Sequence, residues 1–173
     1  PEGVFYTKLT PELAEKIITA YMEDGKILEE YTFYDRSLNE HIPLIENISF
    51  FNKQEKIALR NCGAMEHGPR EADVARDGYS AIAETLLNKS SEDVVAEIKS
   101  SGLCGRGGAG FPTGVKWQAG LNAPGEDKYI VCNADEGDPG AFMDRSIIEG
   151  DPHSLIEGMM LGAYAIGAKR GYV

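Results

Sequence analysis

The sequence predicts an α/β protein, and three observations carry that prediction. Lys128 to Asn133 is a short apolar run of strand length ending in polar residues. Apolar patterns of helical period lie on both sides of it, after Thr10, across 72–100 and after Asp151. Between the second and the strand lies a glycine-rich stretch, Ser101 to Gly114, which holds six of the chain's 20 glycines. With 173 residues the chain is long enough to bury a core. It is 42% hydrophobic with a net charge of −11. That balance argues against a nucleic-acid surface, which needs a basic patch. No apolar run approaches the ~20 residues of a membrane span.

Residues 1–32 read as one compact unit. Val4 to Leu9 alternates as a strand does. Thr10-Pro11-Glu12 then supplies an N-cap, a proline at the first helical position and an acid in the first turn. Leu13, Ile17 and Tyr21, with Ala14 and Ile18, form an apolar face, and Gly25 ends the helix. Residues 33–76 read as a connector, with a short helical pattern from Phe50 through Asn61 and a loop from Met65 to Arg70. His41 and His67 have no partner at metal spacing and read as surface or connector histidines. Two helices are expected across 72–100, one with the stripe Tyr79, Ile82, Ala83 and Leu86, the other with Val94, Val95 and Ile98. Ser90 to Asp93 offers capping oxygens between them. Lys116-Trp117 opens a stretch with no assignment, and Asn122 to Asp127 is a turn. After the strand at 128–133, Asp151-Pro152 starts a helix running from His153 to about Ala168, with His153 in a structural role. Pro1 in place of an initiator Met, and Gly171-Tyr172-Val173 reading as the start of a strand, are expected of a piece of a longer chain.

The glycine stretch reads as a ligand loop. Glycine reaches φ > 0 cheaply and lets backbone N–H groups approach a ligand, and successive N–H groups can form an anion-binding nest. Arg106 adds a planar cationic fork suited to phosphate or to a ring face. Gly105, Gly107 and Gly110 satisfy G-x-G-x-x-G, but that fingerprint needs a strand before and a helix after it. Here the preceding Ser91 to Ser100 reads as helix, and Phe111-Pro112-Thr113-Gly114 is not expected to open one cleanly. No Gly-Lys-Ser/Thr follows, so a P-loop phosphotransferase is excluded. The polar residues after the strand, Asn133, Asp135 and Glu136, stand where open α/β sheets meet their ligands. Cys62, Cys104 and Cys132 show no ligand spacing and read as reduced cytosolic thiols, so no metal site is expected within this chain.

Two blocks, Gly-Arg-Gly-Gly-Ala-Gly-Phe-Pro-Thr-Gly-Val-Lys-Trp at 105–117 and Lys-Tyr-Ile-Val-Cys-Asn-Ala-Asp-Glu-Gly-Asp-Pro-Gly-Ala-Phe-Met-Asp-Arg at 128–145, closely resemble the flavin subunit of respiratory complex I and its soluble relatives. Those relatives include the NAD(P)-linked flavin subunits of multimeric iron-only hydrogenases and of NAD-dependent formate dehydrogenases. The resemblance implies a Rossmann-like FMN-binding domain, incomplete at its C-terminus, whose N-terminal part is 77–173, reached through the connector 33–76. It further implies that 1–32 is the C-terminal part of a thioredoxin-like [2Fe-2S] ferredoxin domain. Implied for FMN are Gly105, Arg106, Gly107, Gly108, Lys116, Asn133, Asp135 and Glu136; implied for NAD(P)H are Phe111 and Asp138. The glycines offer close backbone, Arg106 and Lys116 positive charge, Asn133 both donors and acceptors, the acids hydroxyl acceptors, and Phe111 a flat ring face.

By the same resemblance, hydride passes between nicotinamide and FMN, and single electrons go on to iron–sulfur clusters outside this chain. The implied protein is a cytoplasmic NAD(P)H dehydrogenase-type subunit of a multi-subunit electron-transfer complex, without nucleic acid or direct membrane insertion. Where respiratory members carry a second Glu in this run the chain has Asp138, and where they carry a second aromatic after Lys-Trp it has Gln118-Ala119. Both favour a hydrogenase-type relative. The competing reading is a non-catalytic scaffold fragment that has lost the cofactor; the intact Lys116, Asn133 and Asp135 argue against it.

Overall fold

The structure, a computed structural model, describes residues 3–62 and 78–173. Its contacts divide the chain into two compact units, Pro1–Ile57 and Ala58–Val173. The expected Met65–Arg70 loop, with His67, lies outside the described residues.

In the first unit the segment expected as a strand is extended but pairs only through isolated bridges, Val4 with Leu44 and Tyr6 with Thr32. Phe5 N–H donates to Pro43 O, and Phe33 N–H donates to Phe5 O, so the segment is held from both sides. Helix α1 spans Pro11–Asp24, with Thr10 accepting from the Leu13 N–H and Gly25 left-handed at its end, as the cap residues dictate. Strands β1 (Phe33–Asp35) and β2 (Glu40–Ile42) pair antiparallel. Residues 33–57, read from sequence as connector, thus belong to the same unit by contact. Ile17, Leu28, Ile42 and Ile48 are its buried apolar residues. The helix expected from Phe50 to Asn61 is corrected to one turn, α2 (Ser49–Asn52), followed by turns. Too few apolar side chains recur beyond it to bury a helical face.

The second unit holds α3 (Ser80–Asn88), α4 (Ser91–Ser100), α5 (Thr113–Asn122), β3 (Tyr129–Val131), α6 (Met143–Gly150), α7 (Pro152–Ile166) and β4 (Arg170–Tyr172). The two expected helices across 72–100 are α3 and α4. Ser90 and Asp93 form a full capping box at the start of α4. Glu157, on α7, accepts from the Tyr79 and Ile82 N–H groups and so caps α3 from across the fold. His153 Nδ1 lies 2.7 Å from the Tyr79 hydroxyl.

Strands β3 and β4 pair in parallel, Tyr129 against Arg170 through Val131 against Tyr172, and the connection between them runs through α6 and α7. Helix α7 packs on β3, on α4 and on α5. The buried centre is Val94, Val95, Ala165 and Ile166, with Ile98, Trp117, Leu121 and Ile130 against it. At Gly162 a Cβ would lie 2.9 Å from Ile130 Cδ1 and 3.1 Å from Trp117 Cζ2, so glycine lets β3 and α5 meet α7 there.

Two helices escaped the sequence reading. Phe111-Pro112 does open a helix: Pro112 is the N-cap of α5 at φ −62°, ψ 119°, where its missing N–H costs nothing. Helix α6 has no local cap and depends on Glu136, seven residues before its start.

Asp151 joins these parts. It is 2% exposed. Its carboxylate accepts from the Ser154 N–H at 3.1 Å, capping α7, and from Asn61 Nδ2 at 2.8 Å. Burial pushes its carboxyl up, but the Ser154 and Asn61 hydrogen bonds and the Arg60 charge outweigh it and hold the group below the ordinary carboxylate range. A depressed folded-state pKa contributes stability at pH above the ordinary carboxylate value, lost as pH falls through the folded value. Asp151→Ala is expected to cost about 2 kcal/mol in urea unfolding at neutral pH. Asp151→Asn should flatten the acid limb of the stability profile.

Candidate functional site

Two segments carry the sequence-derived site residues. The first is the glycine loop between α4 and α5. Its base is tied by Thr113 N–H donating to Leu103 O at 2.9 Å and Gly105 N–H donating to Phe111 O at 2.8 Å. Cys104 and Pro112 make an isolated antiparallel bridge between these bonds. The tip, 105–111, is exposed. Gly108 (φ 100°) and Gly110 (φ 62°) turn it through conformations that an L side chain resists, which accounts for glycine at both. Arg106 is exposed on the tip, and among the described residues its guanidinium has no ion pair.

Helix α5 leaves this loop with a bare N-terminus. No side chain caps it and no acid stands in its first turn. Thr113 N–H is spent on Leu103 O and Lys116 N–H on Pro112 O. The Gly114 and Val115 N–H groups have no partner among the described residues. Lys116, in the same first turn, puts a cation where the helix dipole disfavours one. Its ammonium lies 5.9 Å from the centre of the Phe111 ring, which is half exposed.

The second segment follows β3. Asn133 Oδ1 accepts from the Asp135 N–H at 2.9 Å, just beyond the strand end. The Asp135 and Asp138 carboxylates are exposed, with no partner among the described residues. Asp138 opens a tight turn, closed by Ala141 N–H donating to Asp138 O at 3.0 Å, with Gly140 at φ 86°. Glu136 is half-buried and engaged. It accepts from the Asp144 N–H at 3.0 Å and the Arg145 N–H at 3.1 Å. Burial pushes its carboxyl up, but these backbone hydrogen bonds, with that of Met143, bring it below the ordinary range.

The structure therefore brings Phe111, Gly105 and Lys116 together, and separately Asn133, Asp135 and Glu136. Among the described residues no hydrogen bond, ion pair or ring contact joins the two groups. Both nonetheless hang on α7, because Trp117 beside Lys116 and Ile130 ahead of Asn133 converge at Gly162. Sequence reasoning missed the capping role of Glu136 and the bare start of α5. The first has no short-range signal; the second was visible as Pro112-Thr113-Gly114 with no acid after it.

The glycine loop, with Arg106 exposed on its tip, thus runs into an uncapped helix whose first turn carries Lys116. Residues 98–173 match the family model described as the Nuo51 FMN-binding domain. The chain is 54% identical over 121 residues to the NADP-reducing hydrogenase subunit HndC of Solidesulfovibrio fructosivorans, covering 70% of this chain and 24% of that protein. It is 48% identical over 119 residues to an NADH-quinone oxidoreductase subunit of Rhizobium meliloti (strain 1021), covering 69% and 28%. The crystal structure of an NAD+-reducing [NiFe]-hydrogenase in the air-oxidized state aligns with 98% of this chain and 26% of its own at 26% identity, TM-score 0.51. The resemblance read from the sequence is thus met by an FMN-binding domain model, by NADH-quinone oxidoreductase and hydrogenase subunits, and by a hydrogenase structure. The chain spans about a quarter of the length of the curated relatives it matches.

Glu136→Ala is expected to uncap α6 and lower the midpoint of urea unfolding. Glu136→Gln keeps one acceptor and should lower the midpoint less than Glu136→Ala does.

Proposed function

We propose that the intact protein is an NAD(P)H-oxidising or NAD(P)-reducing flavoprotein subunit, in which hydride passes between nicotinamide and FMN. Single electrons then leave to iron–sulfur clusters of a larger, cytoplasmic electron-transfer complex. The observation that carries this reading is the exposed glycine loop, with Arg106 on its tip, running into the bare N-terminus of α5, whose first turn carries Lys116. Free amides and two cations in a chain of net charge −11 are suited to a phosphate-bearing ligand. FMN, when bound, supplies the conversion between two-electron and one-electron transfer.

The chain's own residues bind and orient. The Gly105, Gly107 and Gly108 backbone allows close approach to ring and ribityl chain, and Arg106 and Lys116 offset negative charge. Asn133 and Asp135 meet hydroxyls or the ring edge, and Glu136 shares that task while holding α6 in place. Phe111 offers its half-exposed face to a ring of the dinucleotide, and Asp138 accepts from its ribose. No helix among the described residues is long and apolar enough to cross a membrane, in keeping with a peripheral subunit. In the same reading, 77–173 is the N-terminal part of a Rossmann-like FMN domain, 33–76 a connector, and 1–32 the end of a thioredoxin-like domain. The parallel β3–β4 pair bridged by α6 and α7 supports the first of these assignments.

An anaerobic NADH titration of the intact protein, monitored in the visible, tests the reading. Bleaching of a flavin band near one equivalent is expected, and the same run with NADPH identifies the preferred nucleotide. A protein that stays colourless after FMN is added back would overturn it in favour of a scaffold. Lys116→Ala is expected to weaken FMN binding about tenfold, ~1.4 kcal/mol, by equilibrium fluorescence titration.

A further inference from the structure

Gly114 was not among the ligand residues expected from the sequence, yet it is the tightest point of the glycine loop's frame. It lies buried in the first turn of α5, against the last turn of α4. A Cβ there would come within 2.6 Å of the Lys99 backbone nitrogen and 2.7 Å of Lys99 Cα. Those are main-chain atoms of the last turn of α4, and they cannot swing aside as a side-chain tip can. The same two helices are tied once more on the surface, where Lys99 Nζ donates to Gln118 Oε1 at 2.9 Å.

The consequence reaches the loop because its stems are these two helix ends. Leu103 follows α4 and Thr113 begins α5, and their 2.9 Å hydrogen bond closes the loop's base. Lys116 stands two residues beyond Gly114, and its ammonium faces Phe111. A displacement of the first turn of α5 would therefore move the bare amides of Gly114 and Val115, the Lys116 charge and the Phe111 ring together.

We infer that Gly114 is a positioning residue of the ligand loop: by letting α5 touch the α4 backbone, it sets where the loop's amides, Lys116 and Phe111 stand, without meeting the ligand through a side chain. The inference rests on the flavin reading above.

The test measures the FMN dissociation constant of the intact protein as wild type, Gly114→Ala and Gly150→Ala, where circular dichroism shows each folded. Gly150 is the control, since a Cβ there would meet Cys62 Sγ at 2.7 Å and so crowd a contact that is no part of the glycine loop. Gly114→Ala is expected to raise the constant at least about tenfold, ~1.4 kcal/mol, while Gly150→Ala stays within about twofold of wild type. Wild-type affinity in Gly114→Ala, or equal losses in both variants, would overturn the inference while leaving the flavin reading intact. A wild-type protein that binds no FMN would overturn the flavin reading, and the inference with it. Should Gly114→Ala not accumulate folded, Gln118→Ala loosens the same helix pair without a clash. It is then expected to raise the constant about two- to threefold, and an unchanged value would count against the inference.

Discussion

The meeting of β3, α5 and α7 at Gly162 is the contact on which the second unit depends. Ile130 and Trp117 both reach the α7 backbone there, and a single methyl on residue 162 would press on both. Close packing makes the consequence general, because a core at crystal-like density transmits a displacement rather than absorbing it. Ile130 precedes the Asn133–Glu136 turn, and Trp117 follows Lys116. One helix thereby carries both halves of the proposed ligand site, even though the halves make no contact with one another among the described residues.

The placement of acids shows a second order in the fold. Asp93, Asp151, Glu136 and Glu157 each accept from backbone N–H groups at a helix start, two of them from a distance in sequence. These carboxylates satisfy orphan donors and complement the positive ends of α4, α7, α6 and α3. Helix α5 receives none of them. In a chain with 28 acids and 17 lysines and arginines, a helix start left without an acid and given Lys116 instead is locally unfavourable for the protein alone. An anionic ligand removes that conflict, and local conflicts of this kind belong at functional sites.

Much of the fold was legible because its signals are local. Thr10-Pro11-Glu12 with Gly25 marked α1, the box from Ser90 to Asp93 marked α4, and Asp151-Pro152 marked α7, each cap lying within a few residues of the helix it serves. Helices α5 and α6 were not legible. Phe111-Pro112-Thr113-Gly114 was not expected to open a helix cleanly, yet Pro112 serves as an N-cap, and α6 takes its cap from Glu136, which no short window connects to it. The pattern read as helix beyond Phe51 fails for want of apolar side chains to bury, since a short helix without a docked face is not stable in water.

For the proposed site, the sequence by itself supplied the residue types on which the reading rests. Glycines at 105, 107, 108 and 110, cations at 106 and 116, and polar groups at 133, 135 and 136 are types and spacings that need no coordinates to be recognised. Only the tertiary structure decided how those groups are spent. It engaged Glu136 with α6 while leaving the Asp135 carboxylate exposed, turned Lys116 toward Phe111, and made Gly114 a point of contact rather than one more loop glycine. The physical reason is range. Glycine conformations, caps and charge types act over a few bonds and are written in neighbouring residues. Which amide meets which carboxylate, and which helix backbone comes within a methyl's width of another, is fixed only when distant segments pack.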